Sequence, residues 1–158
     1  MNDTEVAAPA SGRTAGHPLR RIALTGLVAT LAAMVVTVVA VALARAVGVD
    51  FEVPEGGETI PVTGVAVVTG FFSLVGTVIA AALLRWSARP AERFLWTAVT
   101  LTIVSLVPPV LSGANAATTI SLVGLHLVAA AVMIPPLTRS LPVIAQRAEH
   151  LTRSIDAE

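Results

Sequence analysis

IALTGLVATLAAMVVTVVAVALA, residues 22–44, decides the fold. It runs for 23 residues without a charge. At about 1.5 Å of rise per residue such a helix is about 35 Å long, more than a hydrocarbon core of about 30 Å. Residues 62–84, 94–111 and 117–137 repeat the pattern, each free of Asp, Glu and Arg and separated by short polar connections. Apolar residues make up 55% of the 158-residue chain and charged residues 13%, with a mean hydropathy of +0.84, which is more hydrophobicity than a soluble core requires. The expected fold class is an all-α membrane protein, a four-transmembrane-helix bundle.

The flanks divide the chain into three parts. Residues 1–18 mix Ala, Ser, Gly, Pro and acids without apolar periodicity and are expected to form a disordered cytoplasmic tail. Residues 19–140 carry the four spans. In residues 141–158, Ile144, Ala148, Leu151 and Ile155 share one helical face and Glu149 pairs with Arg153 at i, i+4. That predicts a short amphipathic cytoplasmic helix, turned from the membrane normal at Pro142 and lying on the inner leaflet or docking a partner. Between the first two spans, Val49-Asp50-Phe51-Glu52-Val53 alternates, Pro54-Glu55-Gly56-Gly57 supplies a turn, and Glu58-Thr59-Ile60 returns. The reading is a short external β-hairpin-like loop with Phe51 and Val53 against the membrane or the bundle end. Its carboxylates lack the spacing of an oxygen-ligand cation loop.

Charge sets the expected orientation. All ten basic residues are arginine. Arg13, Arg20, Arg21, Arg85, Arg89, Arg93, Arg139, Arg147 and Arg153 fall on one side of the spans; only Arg45 falls on the other, beside Asp50, Glu52, Glu55 and Glu58. The positive-inside rule then puts both termini in the cytoplasm of a multi-pass protein of the cell membrane, with Trp86, Phe94 and Trp96 at the inner interface. A cleaved signal peptide is the rival reading of span one, because Arg20-Arg21 precedes it and Ala42-Leu43-Ala44 ends it. Its 23 residues exceed the 7 to 15 of a signal core, which favours a retained span.

Helices in lipid associate through close packing and hydrogen bonds rather than through hydrophobic burial. Small residues therefore mark expected seams: Ala66 with Gly70 and Gly76 with Ala80 in span two, Ser121 and Gly124 in span four, and Gly26 in span one. With Thr69, Ser73 and Thr77 also in line, span two is expected to be the central helix. Each Ser and Thr has a modest alternative, bonding back to a carbonyl of its own helix. Pro108-Pro109 and Pro135-Pro136 free the carbonyls of Val104, Ser105, Ala131 and Val132, so they either end or kink their spans or open oxygens to a cavity. Ser73-Leu74-Val75-Gly76 echoes Ser121-Leu122-Val123-Gly124. That is either chance or the trace of two duplicated hairpins.

His126 is the only ionisable side chain inside any span, close to the midplane. Thr37, Ser73, Thr102 and Ser105 lie at comparable depth and complete a candidate intramembrane polar site. An intramembrane titratable group is by default a functional candidate. The alternative is a neutral ring donating to a Ser or Thr on a neighbouring span and fixing register, worth roughly 1 kcal/mol. Metal or haem would need further ligands, and His17 and His150 lie in the flanks, so no metal and no cofactor is expected. With no cysteine, disulfides and thiolate chemistry are excluded. No buried carboxylate orients the ring for nucleophilic catalysis, and no nucleic-acid motif occurs.

Arg20-Arg21, Gly48-Val49-Asp50, Trp96 with Ser105-Leu106 and Pro108, and His126-Leu127-Val128-Ala129-Ala130 leading to Ile134-Pro135 are together similar to a family of small four-span bacterial membrane proteins of unknown function. The resemblance covers residues 20–140. It implies the four-helix topology and no activity.

The functional expectation is a non-enzymatic structural or partner-binding component that packs, within the lipid bilayer, against its own copies or a larger membrane complex. The alternative is a proton-linked small transporter or channel using His126.

Overall fold

A computed structural model describes residues 16–53 and 58–155, with side chains over 18–52 and 59–142. Each apolar run is helical: α1 (Gly16–Ala46), α2 (Val62–Trp86), α3 (Pro90–Ser105) continued by the single turn α4 (Val107–Leu111), and α5 (Ala116–Ile155). The segments Pro18–Ala46, Val62–Trp86, Pro90–Leu111 and Ala116–Pro142 are long and apolar enough to cross a membrane. Two strands of two residues each, β1 (Glu52–Val53) and β2 (Glu58–Thr59), pair antiparallel as Glu52↔Thr59 and Val53↔Glu58. They form no layer of their own. The intervening turn, residues 54–57, and the side chain of Val53 lie outside the described residues, as do most of the N-terminal tail and the side chains of the amphipathic C-terminal segment.

Local chemistry sets the ends. α1 stops at a Schellman motif: Val49 N–H bonds the Ala44 carbonyl at 3.0 Å, Gly48 N–H bonds the Arg45 carbonyl at 3.0 Å, and Gly48 takes φ +89°. Pro61, extended at φ −69° and ψ 145°, leads into α2. Pro90 opens α3, where its missing N–H costs nothing. Asn115 Oδ1 caps α5 by accepting the Thr118 N–H at 2.8 Å.

The bundle is a ring with one loose edge. α1 packs along α2 on one side and along α5 on the other, and α3 packs mainly on α5, whereas α2 and α3 meet only lightly. Span two is therefore not the central helix; α1 and α5 are. The close contacts explain why. Gly26 on α1 lets the Thr77 side chain of α2 approach, and Gly70 on α2 admits Met34 of α1. Ala29, Ala33 and Ala80 are buried beside them, while Ala66 is half-buried at the same seam. The expected packing roles of Gly76 and Gly124 do not appear, since a Cβ added at either would meet nothing within 4 Å; Ser121 is half-buried. A duplicated-hairpin reading would equate the α1–α5 seam with the α2–α3 seam, and the first is closely packed whereas the second is loose.

Two apolar clusters hold the ends together. Ile22, Ala80, Phe94, Leu137 and Leu141 meet at the end carrying Arg20, Arg21, Arg85, Arg89, Arg93 and Arg139. At the opposite end Val41 and Leu125 enclose Phe51, which is 1% exposed. Phe51 adopts φ +53°, an unfavourable left-handed conformation for a side chain of its size. Burial of the ring offsets the strain. Arg45 fastens the same loop: its Nη2 donates to the Ile60 carbonyl at 2.7 Å, and its guanidinium lies 6.0 Å from the Phe51 ring centroid.

The prolines act differently in the two helices that carry them. Pro108 and Pro109 have no N–H for the Val104 and Ser105 carbonyls, and the chain breaks at Leu106 between α3 and α4. Pro135, Pro136 and Pro142 instead lie inside α5, which runs 40 residues without interruption. The C-terminal segment is thus a continuation of the fourth span, not a separate helix turned at Pro142. Outside the ring, large apolar side chains face outward, among them Val28, Val35, Phe71, Val78 and Ile120. Water would penalise such a surface and hydrocarbon does not.

Candidate functional site

The loose α2–α3 edge leaves a groove of about 890 Å³, with α5 as its floor. Three helical ridges line it. Val65, Thr69, Phe72, Gly76 and Ile79 come from α2; Thr97, Leu101 and Val104 from α3; Leu122, His126, Ala129, Met133 and Leu137 from α5. Spacings of three and four residues place each set on one face. The rims are exposed, with Phe72 at 65% and Val104 at 59%, so the groove opens sideways between α2 and α3. Its lining is chiefly apolar and interrupted by a few hydroxyls, including those of Thr69, Ser73, Thr97 and Ser112.

The break in α3 shapes one wall. Val104, Ser105, Pro108 and Pro109 all line the groove, and the Leu106 N–H caps the helix end on the Ile103 and Val104 carbonyls.

His126 sits on the floor, half-buried. Its Nδ1 lies 2.8 Å from the Leu122 carbonyl one turn earlier. A carbonyl oxygen only accepts, so Nδ1 is the donor and bears the hydrogen. The bond to a hydroxyl of a neighbouring span, expected from the sequence, is not formed; the ring bonds its own helix. In the neutral ring Nε2 is then a lone-pair acceptor.

Of the other candidate residues, Ser73, Thr102 and Ser105 line the same groove, and Thr37 does not. Thr37 lies in the α1–α2 seam, where its hydroxyl donates to the Ala33 carbonyl at 2.8 Å and stands 3.5 Å from Thr69 Oγ1. Thr102 donates to the Ala98 carbonyl at 2.8 Å and Ser105 to the Thr102 carbonyl at 2.7 Å. Bonding within their own helix accounts for these hydroxyls, so they form no continuous polar layer around the imidazole. Thr97 and Ser112 escaped the sequence reading, and Thr69 was read there only as part of a packing ridge; the signal of Thr69 and Thr97 was membership of the ridges above.

A four-helix bundle with an apolar exterior, a sideways-opening groove and one intramembrane histidine defines a small multi-pass membrane protein. The chain belongs to the family of unknown function DUF6069, whose model matches residues 17–143. No curated protein and no solved structure matches it.

Proposed function

We propose that the protein is a non-enzymatic, partner-binding component of the cell membrane, with both chain ends in the cytoplasm and the β1–β2 loop outside. The observation that carries the reading is the loose α2–α3 seam, which holds a groove of about 890 Å³ while α1 packs closely along α2 and α5. Apolar surface facing lipid needs no partner, but a recess in it has unfilled contacts that a complementary molecule would restore. The segregation of Arg20, Arg21, Arg85, Arg89, Arg93 and Arg139 at one end, with Asp50 and Glu52 at the other, supports the orientation.

Photo-crosslinking tests the binding face. A photoreactive residue at Val68 or Leu101, on the groove, is expected to capture a defined species, whether lipid, protein or a second copy. The same residue at Val28 or Val35, on the outer face of α1, is expected to capture only bulk phospholipid. Equal capture from both faces would reject the reading. The transporter alternative gains no support from the geometry, since the groove opens into the plane of the bilayer and the hydroxyls of Thr102 and Ser105 are committed to their own helix.

A further inference from the structure

We infer that the groove binds a small membrane-dissolved amphiphile carrying a hydroxyl group, which donates to Nε2 of His126. The inference rests on the partner-binding reading above and names the class of partner.

The argument begins with the imidazole. Because Nδ1 is the donor to Leu122, the neutral ring carries its lone pair at Nε2, an acceptor. Among the described residues no Ser or Thr hydroxyl of α2 or α3 hydrogen-bonds the ring, and Thr102 and Ser105 already donate elsewhere. An acceptor that faces an apolar groove without a donor is costly in hydrocarbon, where no water compensates. A ligand hydroxyl satisfies it; a ligand offering only acceptors does not.

Size suits a small molecule. About 890 Å³ lies inside the range of small-molecule sites, about 300–1,000 Å³. The composition of the site agrees: aliphatic and aromatic walls for an apolar body, and a few polar atoms, Nε2 of His126 among them, to orient it. Phe72 and Leu101 flank the sideways opening, through which such a molecule enters from the bilayer.

The test uses a matched pair of probes in phosphatidylcholine nanodiscs holding the full-length protein: a diazirine-bearing sixteen-carbon alcohol and its methyl ether. Mass spectrometry reads the labelled peptides. The alcohol is expected to label residues of the groove about fivefold more than the ether, the size of one net hydrogen bond. In His126→Phe, which keeps a ring and removes the acceptor, the preference is expected to vanish. Should that variant fail to fold, the alcohol-to-ether ratio in the unaltered protein decides alone. Equal groove labelling by both probes would overturn the hydroxyl specificity and leave partner binding standing. Crosslinking of the groove to a second copy of the chain would overturn the small-molecule occupant and leave partner binding standing. Labelling spread evenly over the α1 face and the groove would overturn both.

Discussion

Gly26 of α1 lies against the side chain of Thr77 of α2 with no room between them for a methyl group. Thr77 is itself fixed, its hydroxyl donating to the Ser73 carbonyl at 3.0 Å. Gly26→Ala is therefore expected to force the two helices apart and to cost about 1–3 kcal/mol. Gly76→Ala and Gly124→Ala, where a methyl meets open space, should be neutral or gain up to about 1 kcal/mol from helix propensity. Thermal unfolding in detergent, followed by circular dichroism, checks the contrast.

Phe51 plugs the end of the bundle opposite the arginines. Phe51→Ala is expected to cost about 3–5 kcal/mol, because a fully buried ring leaves a cavity between Val41 and Leu125. The same thermal assay reads it, and a loss below about 1 kcal/mol would show that the ring does not hold the loop.

Arg45 reaches the Ile60 carbonyl and the Phe51 ring together, a double contact that a planar guanidinium makes and an ammonium does not. Arg45→Lys should leave the spans intact and loosen the loop. Faster amide hydrogen exchange at Ile60, whose N–H bonds the Phe51 carbonyl at 3.1 Å, is the expected readout, with exchange in α2 unchanged.

Pro108 and Pro109 break the third span at Leu106. The double replacement Pro108→Ala, Pro109→Ala restores donors for the Val104 and Ser105 carbonyls and should fuse α3 with α4. Slower amide exchange around Leu106 is expected, together with weaker groove labelling as the wall straightens.

Orientation is open to direct measurement. A reporter active only in the cytoplasm is expected to give signal at both chain ends and none when inserted in the loop after Phe51. Opposite behaviour of the two ends would reject the assigned topology.

The four spans were legible because lipid imposes a single rule, about twenty uncharged residues per crossing, that composition satisfies four times. Neighbour relations were less so. Span two carries the most conspicuous Gly and Ser ridge, yet half of that ridge, Gly76 with Ser73, lines the groove instead of a closed seam. A small residue permits close approach and equally permits a void; the pattern alone does not distinguish them. His126 stood out as the lone titratable group in the spans, but its partner did not, because bonding to Leu122 needs only a backbone that is always present. Pro108-Pro109 sits where a helix breaks and Pro135-Pro136 inside one that continues, so the Pro-Pro pair alone does not set the outcome.

The sideways opening between Phe72 and Leu101 has a consequence for dosage. A molecule reaching the floor through that gap arrives by lateral diffusion from the surrounding leaflet, so occupancy follows its mole fraction among the lipids and not its concentration in the medium. Cells that thin, enrich or remodel their bilayer would thereby change how full the recess is without synthesising any more of the molecule it holds.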